Sequence, residues 1–343
     1  MTRTIAVCML VLASAARAQP DPGRVVVDAL ASHDIVLLSE EHWGVQFHGF
    51  VHELLADSRL AGHVNDIVVE CGNPRYQGVI DRYVAGEDVP LSELRPAWRN
   101  TSQILAWDSP LYESLYTWVR TVNRGLKPEE RYRIVAMEPP IDWTKVRTAA
   151  DYQPFAQRSR DQLARVESEV LAKHRKAIII IVGGAHVLRR SLRDPKRIVA
   201  IQDASLGDAL GRKYPGRTFS VWTVPANEGE PGPVPRIVNV AGTSLAARSF
   251  GEVAPIGIMV QRVVNGKQEW VSLADSDWPP IGDMCDALLY LPPNRTKAEP
   301  PQSVYADESY YREVLRRARI MSQAFGFDLV QELQEAAGKA GKP

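Results

Sequence analysis

The sequence predicts an α/β fold: a largely parallel central sheet flanked by helices, with an antiparallel hairpin and C-terminal helices added. Three observations carry this. Four short, mostly β-branched apolar runs recur in the first half of the chain. Each is bordered by polar or turn residues. Helical patterns lie between them. Continuous apolar runs fit parallel strands covered on both faces, and strands alternating with helices supply the crossovers such a sheet needs.

The elements follow in order. Val25 to Ala31 reads as a helix. The four strand runs are Ile35–Leu38, Ile67–Val69, Ile134–Met137 and Ile178–Val182. Phe47, Phe50, Val51, Leu54 and Leu55 keep helical spacing, as do Leu111, Leu115, Trp118, Val119 and Val122. A charged helix around Asp161–Lys173 precedes the fourth strand. Ile198–Ile201 and Phe219–Val224 read as further strands, and Glu228 to Pro235 as a Gly/Pro-rich loop. Met259–Val264 and Glu269–Leu273 flank Asn265-Gly266, a two-residue hairpin signal. Ala287–Leu291 is a late strand, and Pro292–Ser303 a Pro-rich linker. Tyr311, Val314, Leu315 and Ala318 mark a C-terminal helix, with a frayed tail after Gly338.

The first residues carry an export signal. Arg3 precedes the apolar run Ile5 to Ala15, and Ala16-Arg17-Ala18 is a small-x-small cleavage site. Residues 1–18 therefore read as a signal peptide, and 19–343 as one domain with its core at about 24–225 and an elaboration at 226–337. Cleavage leaves 39 basic and 41 acidic residues, a net of −2. That balance disfavours a nucleic-acid partner. No other stretch is apolar enough to cross a membrane, so the expected product is periplasmic or secreted, with a small-molecule or peptide substrate. Cys71 and Cys285 read as buried thiols. Asn100-Thr101-Ser102 and Asn294-Arg295-Thr296 match the glycosylation sequon.

The chemistry lies where polar residues fall. Strand one runs into Ser39-Glu40-Glu41-His42, strand two ends in Glu70, strand three in Glu138, and strand four in Gly183-Gly184-Ala185-His186. If the strands are parallel and share a sheet, these ends form one edge, where open α/β sheets bind ligands. Glu40, His42, Glu70, Glu138 and His186 are then the candidate catalytic residues. Glu40, His42 and His186 are candidate ligands for a divalent metal that lowers the pKa of bound water. Crowded carboxylates that leave one acid as base, with His shuttling a proton, are the alternative. The same acids can instead cap helices or pair with arginines such as Arg75. Gly183 and Gly184 would let backbone approach a ligand. Arg75, Trp107, Asp108 and Asp142 are candidate substrate contacts; Trp107-Asp108, with Tyr112 and Trp143, read equally as ligand wall or core edge. His48 and His52 sit at the edge of their helix's apolar stripe and read as rim residues. Glu41, His33, His63 and His174 read as solvated. There is no Gly-x-Ser-x-Gly, no His-Glu-x-x-His, and no phosphate-binding Gly-rich loop with Lys.

Three segments carry a resemblance. IVLLSEEH, Ile35 to His42, resembles the strand-Gly-Glu-x-His opening of ChaN-like proteins, in the Tiki/TraB and erythromycin-esterase-like superfamily. IVVECGNPRYQGVIDRYVAGE, Ile67 to Glu87, resembles their second-strand Glu and following helix, and IIIIVGGAHV, Ile178 to Val187, their strand-Gly-x-x-His segment. The resemblance covers roughly residues 30–225. It implies an α/β fold with the site at the strand ends, and places Glu40, His42, Glu70 and His186 at functional positions. It also implies three activities. Tiki-like members are metal-dependent proteases, esterase-like members open macrolactones with His and Glu, and ChaN-like members bind haem for iron uptake. The expectation is an exported hydrolase acting on a peptide, ester or lactone, with a haem-binding protein as the alternative. Tyr112, with Tyr116 at helical spacing, is the candidate haem ligand. This chain departs in having Ser39 where Gly is usual, Glu138 where Asp or Asn is expected, and no lipobox before Cys8.

Overall fold

The computed structural model describes residues 21–190, 205–226, 234–253, 259–264, 267–272, 279–293, 297–326 and 328–340. The residues read as a signal peptide, as the Ile198–Ile201 strand and as the Asn265-Gly266 turn, most of those read as the Glu228–Pro235 loop, and Asn294 lie outside them.

The fold is mixed α/β, with a seven-stranded sheet in the order β3-β2-β4-β1-β5-β9-β6. The expected runs form β1 (Ile35–Glu40), β2 (Asp66–Val69), β3 (Arg133–Ala136) and β4 (Ala177–Val182). β5 (Thr218–Pro225) and β9 (Ala287–Leu291) also follow the pattern. β1 pairs in parallel with β4 and β5, β2 with β3 and β4, and β5 with β9. β6 (Arg236–Asn239) runs antiparallel to β9 at the edge and was not anticipated, because its run RIVN holds only two apolar residues, Ile237 and Val238. β7 (Met259–Val264) and β8 (Lys267–Ser272) form the expected hairpin, outside the main sheet.

The strands are covered on both faces, which is why they read as unbroken apolar runs. Val36, Leu38, Ile67, Val69, Ile134 and Ile178 point into one core with the helices Val45–Ala56, Gln77–Ala85 and Pro110–Asn123. Ile35, Leu37, Val68, Val135, Ile179 and Ile181 point into the other, with Val166 and Val170. Such alternation follows from the two-residue period of a strand. Arg158–Val166 is a helix that continues into one π-helical turn, Glu167–Leu171. Among the described residues no helix is long and apolar enough to cross a membrane.

The C-terminal third docks on the loops that carry the strand-end residues. Ala298 N donates to Trp43 O at 3.0 Å. The helix Glu308–Phe325 sends Arg317 to Arg99 O at 2.7 Å and to Asn100 Oδ1 at 2.8 Å. The final helix runs Leu329–Ala340, so helical structure passes Gly338 where fraying was expected. Cys71 and Cys285 are free and buried, as read from the sequence. Asn100 donates to Tyr76 Oη at 2.6 Å and Thr101 and Ser102 are buried, so this sequon offers no free side chain for a glycan.

Candidate active site

Because β3, β2, β4 and β1 are parallel neighbours, their carboxyl ends lie side by side. Glu138, Glu70, the Gly183–His186 turn and Glu40 follow one another along that edge. The placement anticipated from strand order in the chain is therefore the observed one.

Two buried carboxylate centres are built there. At the first, Glu70 and Glu138 share Arg158. Arg158 Nη2 donates to Glu70 Oε1 at 2.5 Å and also to Glu138 Oε1, while its Nε reaches Glu138 Oε1 at 3.1 Å. Ser102 Oγ donates to Glu138 Oε2 at 2.6 Å, and Gln162 Nε2 to Glu70 Oε1 at 3.3 Å. Burial pushes Glu138 up, with the Glu70 charge adding and Arg158 opposing. Burial alone would lower Arg158, but Glu138 and Glu70 outweigh it and hold the guanidinium above its ordinary value. Arg158 and Gln162 are one helical turn apart on Arg158–Val166, so one face delivers both. Neither they nor Ser102 were anticipated at this site: the charged helix read around Asp161–Lys173 begins three residues after Arg158, whereas the helix itself begins at Arg158. The arginine that pairs these acids is Arg158 and not Arg75. Arg75 is exposed and bonds Asp142 at 2.9 Å, so neither of those two candidate substrate contacts joins the acid centre.

At the second centre, Glu40 Oε1 accepts from Tyr112 Oη at 2.9 Å and from His48 Nε2 at 3.0 Å. Glu40 Oε2 is buried and has no partner. His48 is 2% exposed, which overturns the rim reading. Its helix buries Phe47, His48, Phe50, Val51, Leu54 and Leu55, an arc wide enough to take in both 47 and 48. Spacings of three and seven from His48 to Val51 and Leu55 were the legible signal. His52 is half-buried and stacks on Trp118 at 4.9 Å. His63 and His174 are exposed and His33 is half-buried, close to the surface reading. Glu41 is exposed and pairs with Lys297 at 2.9 Å.

Two imidazoles lie between these centres. His42 is half-buried and stacks on Trp107 at 5.7 Å. Burial lowers its pKa below 6.5, against the charges of Glu70 and Glu40. Its Nδ1 is buried without a partner, as is Trp107 Nε1. Trp43 follows with φ +64, in the left-handed region where a non-glycine residue stores strain. Its indole donates to Ala106 O at 2.9 Å, which holds the turn. Burial lowers His186 as well, Glu70 opposing and Arg158 and His42 adding. Gly183 has φ +88, and a Cβ there would stand 3.0 Å from the His186 ring. A Cβ on Gly184 would stand 2.5 Å from Trp222 Nε1. Both glycines let the turn close against its neighbours. Ser39, where glycine was expected, accepts from Thr223 N at 2.7 Å and so ties β1 to β5 past their last paired residues.

Among the described residues no three His, Cys, Asp or Glu side chains are grouped to hold a metal ion. Glu40, His42 and His186 are therefore not brought together as a ligand trio in this arrangement. Tyr112 is 1% exposed and burial, with the Glu40 charge, raises its pKa. It is thus a hydrogen-bond donor to Glu40, and is not placed as a haem ligand. Tyr116 is buried and donates to Cys71 O at 2.7 Å. Trp107 is a wall of the His42 site, whereas Asp108 points elsewhere, bonded to Arg99 at 2.8 Å and Tyr310 at 2.7 Å.

No family model matches the chain, and no curated protein is found similar to it. A crystallised Bacillus cereus protein is similar at 15% identity and TM-score 0.42, over 79% of this chain and 92% of its own. A succinoglycan biosynthesis protein is similar at 9% identity and TM-score 0.44, over 78% and 90%. The type III effector HopBA1 is similar at 12% identity and TM-score 0.40, over 81% and 96%. Likenesses at this level carry no inference about function.

Proposed function

We propose that this chain is an exported hydrolase that activates water in the His/Glu cleft, on a peptide, ester or lactone. The observation that supports it most is His42. It is an imidazole kept neutral by burial, beside the charges of Glu70 and Glu40, with Nδ1 unsatisfied. A buried polar atom without a partner in a cleft is a place for water or substrate. The Ile35–His42, Ile67–Glu87 and Ile178–Val187 segments resemble ChaN-like proteins of the Tiki/TraB and erythromycin-esterase-like superfamily, which includes hydrolases and also haem binders, so the resemblance supports the site residues and not one activity.

In this reading His42 takes a proton from the attacking water, and Glu70 and Glu40 stabilise the imidazolium that forms. His186 and the Arg158 side chain stabilise the charge that develops on the carbonyl oxygen. Glu138 and Ser102 hold Arg158 in place, and Tyr112 and His48 hold Glu40. Glu40 ends a strand, Glu70 and Glu138 follow strands, and Arg158, Tyr112 and His48 sit on helices, which fixes their geometry.

The test is turnover of a panel of p-nitrophenyl esters, lactones and peptides by the mature protein. His42→Ala should cost on the order of 10²–10⁴ in kcat with the fold intact. Full activity in that variant removes His42 from the mechanism. A saturable Soret shift with hemin, together with no hydrolysis of any panel member, overturns the hydrolase reading in favour of haem binding.

A further inference from the structure

A second cavity lies apart from the residues of the His/Glu cleft. It is a pocket of about 660 Å³ whose walls include His52, Trp118, Arg95, Arg99, Glu113 and Asp307. That volume lies within the range of small-molecule sites. The chain builds it from distant pieces: the helices Val45–Ala56 and Pro110–Asn123 on one side, Arg95 to Asp108 on another, and Pro301 to Asp307 of the C-terminal third closing it. It adjoins the cleft through consecutive residues, Trp107 stacking on His42 while Asp108 lines the pocket.

Its chemistry has two parts. One wall is a rigid aromatic plate. His52 and Trp118 stack at 4.9 Å with 23° between planes, and Trp118 Nε1 donates to His52 O at 2.8 Å, which locks the indole. Burial lowers His52, with His48 adding, so the plate is uncharged at neutral pH. His52 Nε2 is buried without a partner. The other walls carry fixed donors and acceptors. Arg95 spends only its Nε, on Glu113 at 3.4 Å. Arg99 spends its Nε on Asp108 at 2.8 Å and lies over the Tyr310 ring at 4.2 Å. Asp307 uses Oδ1 for Tyr310 N at 3.1 Å. Among the described residues no bond takes up the terminal guanidinium N–H groups, Glu113 Oε1 or Asp307 Oδ2, which leaves them to bond a ligand. Two arginines face three acids, Asp108, Glu113 and Asp307, so the lining does not select a polyanion. What matches is a neutral ligand with an apolar face and adjacent hydroxyls that both donate and accept, since each hydroxyl offers one donor and two acceptors.

We propose that this pocket binds a neutral saccharide, seated on the His52–Trp118 plate with vicinal hydroxyls on Arg95 and Glu113. The inference does not rest on the hydrolase reading, because its readout is binding alone. Trp98 and Trp118 line the pocket, so intrinsic tryptophan fluorescence reports occupancy, and calorimetry gives the stoichiometry. The probes are maltotriose, cellotriose and tri-N-acetylchitotriose, against citrate, inorganic phosphate and adenosine. The expected result is saturable one-to-one binding of at least one trisaccharide. Trp118→Ala should weaken it about tenfold or more, as loss of a stacking face would. Trp118 is half-buried and its loss risks the packing, so Arg95→Ala, whose side chain is 43% exposed, is the second variant, and should weaken the same saccharide with the fold unchanged. Absence of binding by all three saccharides overturns the proposal. So does tighter binding of citrate, phosphate or adenosine at this site, or saccharide binding that ignores both pocket variants.

Discussion

Arg158→Met isolates what the shared guanidinium does. Arg158 is the counter-charge of two acids whose side chains are 3% and 0% exposed, and it is itself only 22% exposed. Removing it leaves Glu70 and Glu138 buried side by side. Breaking a buried ion pair by deleting one partner costs about 3–5 kcal/mol. Protonation returns part of that, and its sign follows from Glu138. Its folded-state pKa already lies above 4.5, so between 4.5 and that raised value the folded state holds more protons than the unfolded one. Stability therefore falls as pH rises through the window. Deleting Arg158 removes the charge that opposes the shift, which widens the window upward. The loss should thus be near the full about 3–5 kcal/mol at about pH 8 and clearly smaller at about pH 5. Urea unfolding of wild type and variant at both pH values measures it, with the slope of each curve checked for two-state behaviour. A cost below about 1 kcal/mol, typical of an exposed pair, refutes the reasoning, and so does a cost that does not change with pH.

Four further outcomes follow. His42 and His186 should titrate below 6.5 by NMR, and their contribution to stability, complete above 6.5, should be lost as pH falls below it, because only the unfolded chain then takes the proton; midpoints above 6.5 contradict the burial argument. Hydrolysis limited by neutral His42 should accordingly persist to pH values below 6.5, and a rate that falls off above that value would remove the imidazole as base. Tyr112→Phe strips Glu40 Oε1 of one of its two donors and should cost about 1–3 kcal/mol in urea unfolding, whereas no cost would mean the phenol does not hold Glu40. Gly184→Ala sets a Cβ 2.5 Å from Trp222 Nε1 and should cost about 1–3 kcal/mol in the same assay, with a neutral result showing that the turn gives way.

Much of the candidate site was legible because strand and chemistry share one signal. A buried parallel strand must be apolar along its length, so the first polar residue after it marks the sheet edge. Reading Glu40, Glu70, Glu138 and His186 off the ends of four apolar runs required nothing else. His48 and Arg158 escaped for a common reason. Each lies on a helix whose buried arc includes a polar residue, and burial of a polar side chain is decided by its partner. Those partners sit on other elements: Glu40 ends a strand 8 residues before His48, and Glu138 and Glu70 follow strands 20 and 88 residues before Arg158.

The sequence by itself determined the strands, their parallel character and the residue types at their carboxyl ends, because periodicity and apolar runs are local properties. Strand order is not local. Any order of equally buried strands has the same pattern, and only packing set β3, β2, β4 and β1 side by side. That order places Glu138 against Glu70 under one guanidinium, and stands the Gly183–His186 turn between Glu70 and Glu40. The pocket beside the His52–Trp118 plate is likewise a tertiary product, since its walls come from segments up to 255 residues apart, His52 to Asp307. Local physics chose the chemical groups; long-range packing chose which of them meet.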